Sequence, residues 1–187
     1  MTKGFTATES LVIIAIVFIV ALVLTPLLVK RSAEKKIRGA EMETERIAKA
    51  ILDFYRDTGY YPIRRQGNND SPVAVFKVLT SKGTMPYGGR GWWLKQPRDT
   101  LENHLNLNRP GYPAEGKSAW RGPYLEPHAE EDPWGHCYVF NAAAVRPGSQ
   151  SVGMVISAGP NGVINTEFFQ SGAVIWLRKD DIGSRVR

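Results

Sequence analysis

Cysteine and histidine are scarce in this 187-residue chain: one Cys and three His. A single thiol excludes an intramolecular disulfide, so any exported part of the chain folds without the usual covalent staple of small exported domains. Cys137 lies in the run His136-Cys137-Tyr138-Val139-Phe140, which reads as a strand, and is expected to be a buried structural residue. His104, His128 and His136 form no metal pair at helical spacing and sit in no nucleophile motif, and no phosphate-binding glycine loop is present. Catalysis is therefore not expected. The formal net charge is +6. The positive charge is scattered through the body or clustered after residue 29, without a nucleic-acid-binding motif, so no nucleic-acid partner is expected.

What the sequence does have is a long apolar run. Leu11 to Leu24 is unbroken, Thr25 and Pro26 interrupt it, and Leu27, Leu28 and Val29 resume before Lys30 and Arg31. Phe5 to Val29 is long enough to cross a bilayer, which needs about 20 helical residues. No small-residue cleavage pattern follows it, so a secretory signal peptide fits poorly. A plain signal anchor accounts for the length and flanking charge but not for Glu9. A carboxylate at the start of an apolar segment is costly in lipid unless it is paired. Cleavage between Gly4 and Phe5 would leave an α-amine on Phe5 and make Glu9 the fifth mature residue. Pairing of that carboxylate with the amine, on the same or the next subunit, would make its burial tolerable and set a register between stacked subunits.

Lys3-Gly4-Phe5-Thr6-Ala7-Thr8-Glu9-Ser10-Leu11 resembles the prepilin-peptidase signature of type IV pilins and type II secretion pseudopilins. The resemblance implies cleavage after Gly4 and N-methylation of Phe5. Pro26 stands where the family commonly carries a proline that loosens the helix in the filament, in keeping with the backbone hydrogen bond that an interior proline removes.

From residue 30 the pattern turns amphipathic. Ile37, Ala40, Thr44, Ile47, Ala48, Ile51, Phe54 and Tyr55 recur at spacings of three and four, with charged residues between them. The helix is expected to stop near Thr58-Gly59, ahead of Pro62. Beyond it, Ser71–Leu79 reads as a short helix with Ser71 as N-cap. Gly91-Trp92-Trp93-Leu94 reads as aromatics on a glycine-rich loop that cover a core edge.

Two further motif pairs carry a resemblance. Trp120-Arg121-Gly122-Pro123-Tyr124-Leu125 precedes Asp132-Pro133-Trp134-Gly135, and Met154-Val155-Ile156-Ser157-Ala158-Gly159 runs into Pro160-Asn161-Gly162. Asp-Pro-Trp-Gly reads as a tight turn: the Asp caps the amides that follow, Pro fixes φ and Gly takes the unusual dihedral. Together these motifs are similar to the major pseudopilin of type II secretion. That resemblance implies a calcium ion in the loop after Gly162, with Asn161, Asn165, Asp180 and Asp181 as its candidate side-chain ligands and Glu167 in the same loop. Asn161 and Asn165 stand where the family often has carboxylates.

The expected fold is α+β, a long N-terminal helix on a small antiparallel sheet. Its expected divisions are a leader (1–4), a transmembrane and assembly half-helix (5–29), an amphipathic half-helix (30–58) and a globular domain (59–187) with a divergent insert over about 64–120. The resemblance implies a structural subunit in the inner membrane, with its domain in the periplasm. It implies a homo-oligomeric filament and, as partners, other pseudopilins, an inner-membrane assembly platform, a prepilin peptidase and secreted cargo. A type IV pilus pilin and a monomeric bitopic protein with a binding domain remain as alternatives.

Overall fold

A computed structural model describes residues 7–63, 76–89, 92 and 98–186. The chain divides into two compact units, Met1–Arg38 and Gly39–Arg187. The first helix, α1 (Ala7–Thr58), contributes residues to both.

In the first unit, every described residue from 7 to 38 is helical and exposed. Side chains such as Leu11, Phe18, Leu22 and Val29 bury little of their surface. Among the described residues this is the one helix long and apolar enough to cross a membrane. Glu9 lies in the first turn of α1, where a negative charge suits the positive end of the helix dipole. Pro26 lies inside the helix and supplies no N–H to the ladder. One residue earlier, the Thr25 hydroxyl donates back to the Ala21 carbonyl at 2.7 Å.

In the second unit, α1 buries Ala40, Thr44, Ile47, Ala48, Ala50, Ile51, Phe54 and Thr58. This is most of the stripe expected from spacing. Ile37 and Tyr55 fall outside it and are exposed, and Tyr55 instead stacks on Tyr61 with ring centroids 4.5 Å apart. The helix ends at Thr58. Gly59, at φ +74°, takes the left-handed conformation that a C-cap requires. Its N–H donates to the Tyr55 carbonyl at 2.8 Å.

Seven strands are defined among the described residues: β1 (Val78–Thr80), β2 (Tyr87–Gly88), β3 (Arg98–Thr100), β4 (Val139–Phe140), β5 (Gly153–Ser157), β6 (Val163–Ile164) and β7 (Ile182–Val186). A short helix, α2 (Leu101–Leu105), follows β3. The main sheet has the order β3-β1-β4-β5-β7, and β2 pairs with β6 separately. β4 pairs antiparallel with β1 and β5, and β5 with β7.

The α+β architecture stands, but the sheet is mixed rather than antiparallel, because β1 and β3 run parallel. The chain between Thr80 and Arg98 is long enough for the crossover that a parallel pair demands. The expected helix over Ser71–Leu79 is also corrected where the structure describes it. Val78-Leu79-Thr80 is a strand held on both sides, by β3 and β4. Pairing and burial override a weak local helix signal; residues 71–75 lie outside the described set. The stretch read as a divergent insert thus supplies two strands of the main sheet and α2.

The sheet buries side chains on both faces. Tyr138, Phe140 and Val155 join Ile47, Ile51 and Phe54 of α1 in one cluster. Cys137, Val139, Met154 and Ile156 join Trp92, Ile164 and Phe168 in the other. The two-residue alternation along residues 137–140 is what sorts them.

Candidate functional site

Asp132 has two backbone amides within reach because the Pro133-Trp134 turn folds back on it. Its Oδ1 accepts from Trp134 N–H at 3.0 Å and His136 N–H at 2.9 Å. Gly135 N–H donates to the Asp132 carbonyl at 2.9 Å, with Gly135 at φ +87°. The second oxygen does something the sequence did not disclose: Oδ2 accepts from the Ser157 hydroxyl at 2.5 Å. Ser157 Oγ in turn accepts from Gly159 N–H at 3.1 Å. The two motifs that carry the C-terminal resemblance are therefore bonded to each other. His136 Nδ1 lies 3.7 Å from Asp132 Oδ1, so Ser, Asp and His stand together. Asp132 and Ser157 are buried and the serine proton is directed at the carboxylate. The arrangement fixes a turn and exposes no nucleophile.

The Trp120–Leu125 motif holds the end of α1. Tyr124 Oη donates to Asp57 Oδ2 at 3.0 Å and accepts from Arg121 N–H at 2.7 Å. Trp120 Nε1–H donates to the His104 carbonyl at 3.0 Å, and Tyr124 N–H to the Leu105 carbonyl at 2.8 Å. Phe54 packs edge-on against Tyr112 and Tyr124. Burial, together with Asp57 and against the Arg121 amide, pushes the Tyr124 phenol up to about 12.

His104, weighed from sequence only as a metal ligand or catalytic group, has a structural role that was not foreseen because α2 was not. Its ring is fully buried, with Nδ1 2.8 Å from Tyr112 Oη and Nε2 3.3 Å from Asp99 Oδ2. Burial lowers its pKa from the ordinary value of 6.5, with Asp99 working against the shift. The signal that was available is Thr100, three residues ahead of Asn103. Its hydroxyl caps α2 by accepting Asn103 N–H at 3.2 Å.

Cys137 is buried, its thiol 3.8 Å from the Met85 sulfur, and burial raises its pKa to about 11. It has the environment of a structural residue rather than a nucleophile. Trp92 is buried too, its Nε1–H donating to the Thr166 carbonyl at 2.7 Å. Gly91, Trp93 and Leu94 lie outside the described residues, as do Gly4 and Phe5. Trp176, not singled out from sequence, is 74% exposed. Gln170 holds its main chain in both directions, accepting from Trp176 N–H at 2.7 Å and donating to its carbonyl at 3.2 Å.

The four candidate calcium ligands fall into two pairs. Asp180 accepts from Asn161 twice, at Oδ2 from the backbone N–H (3.0 Å) and at Oδ1 from the side-chain amide. Asn161 Oδ1 is itself taken by Val163 N–H at 2.6 Å. Asp181 Oδ2 accepts from Asn165 N–H (2.8 Å), Thr166 N–H (2.6 Å) and the Thr166 hydroxyl (2.6 Å). Burial raises the Asp181 pKa, against those three bonds. Calcium takes six to eight hard oxygen ligands. Here one carboxylate oxygen, Asp181 Oδ1, is buried without a hydrogen-bond partner, while the other three face N–H and O–H donors. Three of the four carboxylate oxygens are thus taken by hydrogen-bond donors. Glu167 points elsewhere, 3.1 Å from the Arg178 guanidinium. Among the described residues no group of three or more His, Cys, Asp and Glu side chains could hold a metal.

Residues 111–175 match the family model for type II secretion system (T2SS), protein G. No curated protein and no solved structure matches the chain. The matched segment contains the Trp120–Leu125 clamp, the Asp132 turn and the Ser157–Gly162 turn, so the family match and the hydrogen-bonded motifs coincide. Over residues 111–175, which carry these motifs, the chain is similar to protein G of the type II secretion system.

Proposed function

We propose that the chain is a structural, non-enzymatic subunit of a type II secretion pseudopilus, held in the inner membrane by the first part of α1 with its globular domain in the periplasm. The observation that carries this reading is the exposed apolar segment Leu11–Val29 of α1. An apolar surface of that length requires lipid or neighbouring helices to cover it. Cleavage between Gly4 and Phe5 and N-methylation of Phe5 by a prepilin peptidase would free an amine. Glu9, one turn further on, would pair with it on the same or the adjacent subunit. Pro26 would loosen the helix as it leaves lipid for the filament. The subunit would then join other pseudopilins on an inner-membrane assembly platform, and the growing filament would move cargo outward.

Chemical cross-linking of the full-length protein in membranes of cells carrying the assembly platform tests this reading. A ladder of multimers that shortens to monomer in Glu9→Ala is expected. A monomer alone in both would support a bitopic protein instead.

A further inference from the structure

We infer that the loop from Gly159 to Asp181 is closed by an Asn161–Asp180 amide–carboxylate pair in the position where the resemblance implies calcium, so that folding of this domain is independent of divalent cations. The inference stands on the geometry of the globular unit and does not rest on the filament reading.

Charge governs how this loop can close. Two carboxylates facing each other across a loop repel, and a cation between them converts that repulsion into coordination. An asparagine at one of the two places changes the problem. Its side-chain amide is a donor, so it bonds the remaining carboxylate directly and removes the like-charge repulsion between those two places. Asn161 does this twice over, by its backbone N–H to Asp180 Oδ2 and its side-chain amide to Asp180 Oδ1. Its own carbonyl oxygen is committed to Val163 N–H. A cation entering here would have to displace three hydrogen bonds to gain two carboxylate oxygens and one amide oxygen.

The neighbouring pair follows the same logic. Asp181 is buried, and its Oδ2 sits in a cradle of two backbone N–H groups and the Thr166 hydroxyl. A cradle of donors suits an anion, so Oδ2 is satisfied without an ion, and Oδ1 alone is left buried without a hydrogen-bond partner. Asn165, the other asparagine in a place of frequent carboxylates, donates its side-chain amide to the Val163 carbonyl at 2.7 Å and so takes up a backbone oxygen as well. The Ser-Ala-Gly turn packs directly on this closure. A Cβ on Gly159 would overlap the Asp180 carbonyl oxygen, so the position of Asp180 is set sterically as well as by hydrogen bonds.

The test is thermal unfolding of the full-length protein in detergent, followed by tryptophan fluorescence, in millimolar calcium and in millimolar EGTA. Three chains are compared: the parent, Asn161→Asp and Asn161→Ala. The parent is expected to melt at the same temperature in both buffers, within about 1 °C. Asn161→Ala is expected to melt several degrees lower, by the same amount in both. Asn161→Asp sets two carboxylates against each other and is expected to lose more than Asn161→Ala in EGTA and to recover part of the loss in calcium. A parent chain whose melting temperature rises in calcium and falls in EGTA by more than a few degrees overturns the inference. So does an Asn161→Ala chain that melts with the parent, since the amide would then close nothing. If Asn161→Asp fails to fold in either buffer, the parent and Asn161→Ala arms decide the matter between them.

Discussion

Ser157 Oγ donates to Asp132 Oδ2 across 2.5 Å, tying the turn ahead of β4 to the end of β5. Asp132 is buried and accepts from Trp134 N–H, His136 N–H and Ser157 at once. Removing it leaves all three donors without an acceptor. Asp132→Ala is expected to cost about 3 kcal/mol and Ser157→Ala about 1 kcal/mol, since bonds to a charged acceptor are worth more than neutral ones. Urea unfolding of the two single variants and the double variant measures the coupling. A coupling of about 1 kcal/mol is expected, and strict additivity would show that the serine bond contributes nothing.

The end of α1 should respond to a hydroxyl more than 60 residues away in sequence. Tyr124→Phe keeps the ring packed on Phe54 and removes the bonds to Asp57 and the Arg121 amide. A loss of about 1 kcal/mol is expected. Asp57→Ala in the Tyr124→Phe background should add little, because one partner has already gone. A full additional loss would place the role of Asp57 elsewhere.

Acid should weaken the packing around α2. Burial holds the folded His104 pKa below its ordinary 6.5, so the unfolded chain takes up the proton first. The stability this group contributes is therefore complete above pH 6.5 and declines as pH falls from there through the folded value. Asp99 is expected to follow at lower pH. Burial raises it, but the His104 ring 3.3 Å away and hydrogen bonds from the Asn103 amide and the Thr100 N–H outweigh that and hold it below its ordinary 3.8. A His104→Gln variant is expected to be less stable at pH 7 and to show a flatter decline just below pH 6.5. Chemical denaturation across that window checks it, and an unchanged slope would contradict the assignment.

Glu9→Ala is expected to remain in the membrane fraction and to lose multimers, because the apolar segment is untouched while the proposed register pair is broken. Membrane fractionation and cross-linking measured on the same cells separate the two effects. Normal multimer yield would contradict the register role.

How much was legible depended on whether a segment's form is decided locally. The end of α1 was legible because Gly59 and Pro62 are local stops. The Asp132 turn was legible because Asp, Pro and Gly each act on their own neighbours. The buried stripe of α1 was read with Ile37 and Tyr55 included and Ala50 and Thr58 left out, since spacing shows which face is apolar but not where the packing surface begins and ends. β1 was misread because Val78-Leu79-Thr80 is decided by β3 and β4, one distant in sequence and the other parallel to it. The buried role of His104 was not foreseen for the same reason: its partners Asp99 and Tyr112 converge only after α2 forms. The Ser157–Asp132 bond crosses 25 positions, and no spacing rule reaches that far. At the calcium candidates, the residue types could be read from the sequence, but not their pairing of Asn161 with Asp180 and of Asn165 and Thr166 with Asp181. That pairing needed the positions of Asp180 and Asp181.

The central claim is that the first part of α1 belongs to a processed, assembling subunit. Mass spectrometry of the N-terminal peptide, from protein purified out of cells carrying the prepilin peptidase, tests it most directly. The account predicts a chain beginning at N-methylated Phe5, with Glu9 as its fifth residue. A chain that retains Met1 through Gly4 in those cells would contradict it.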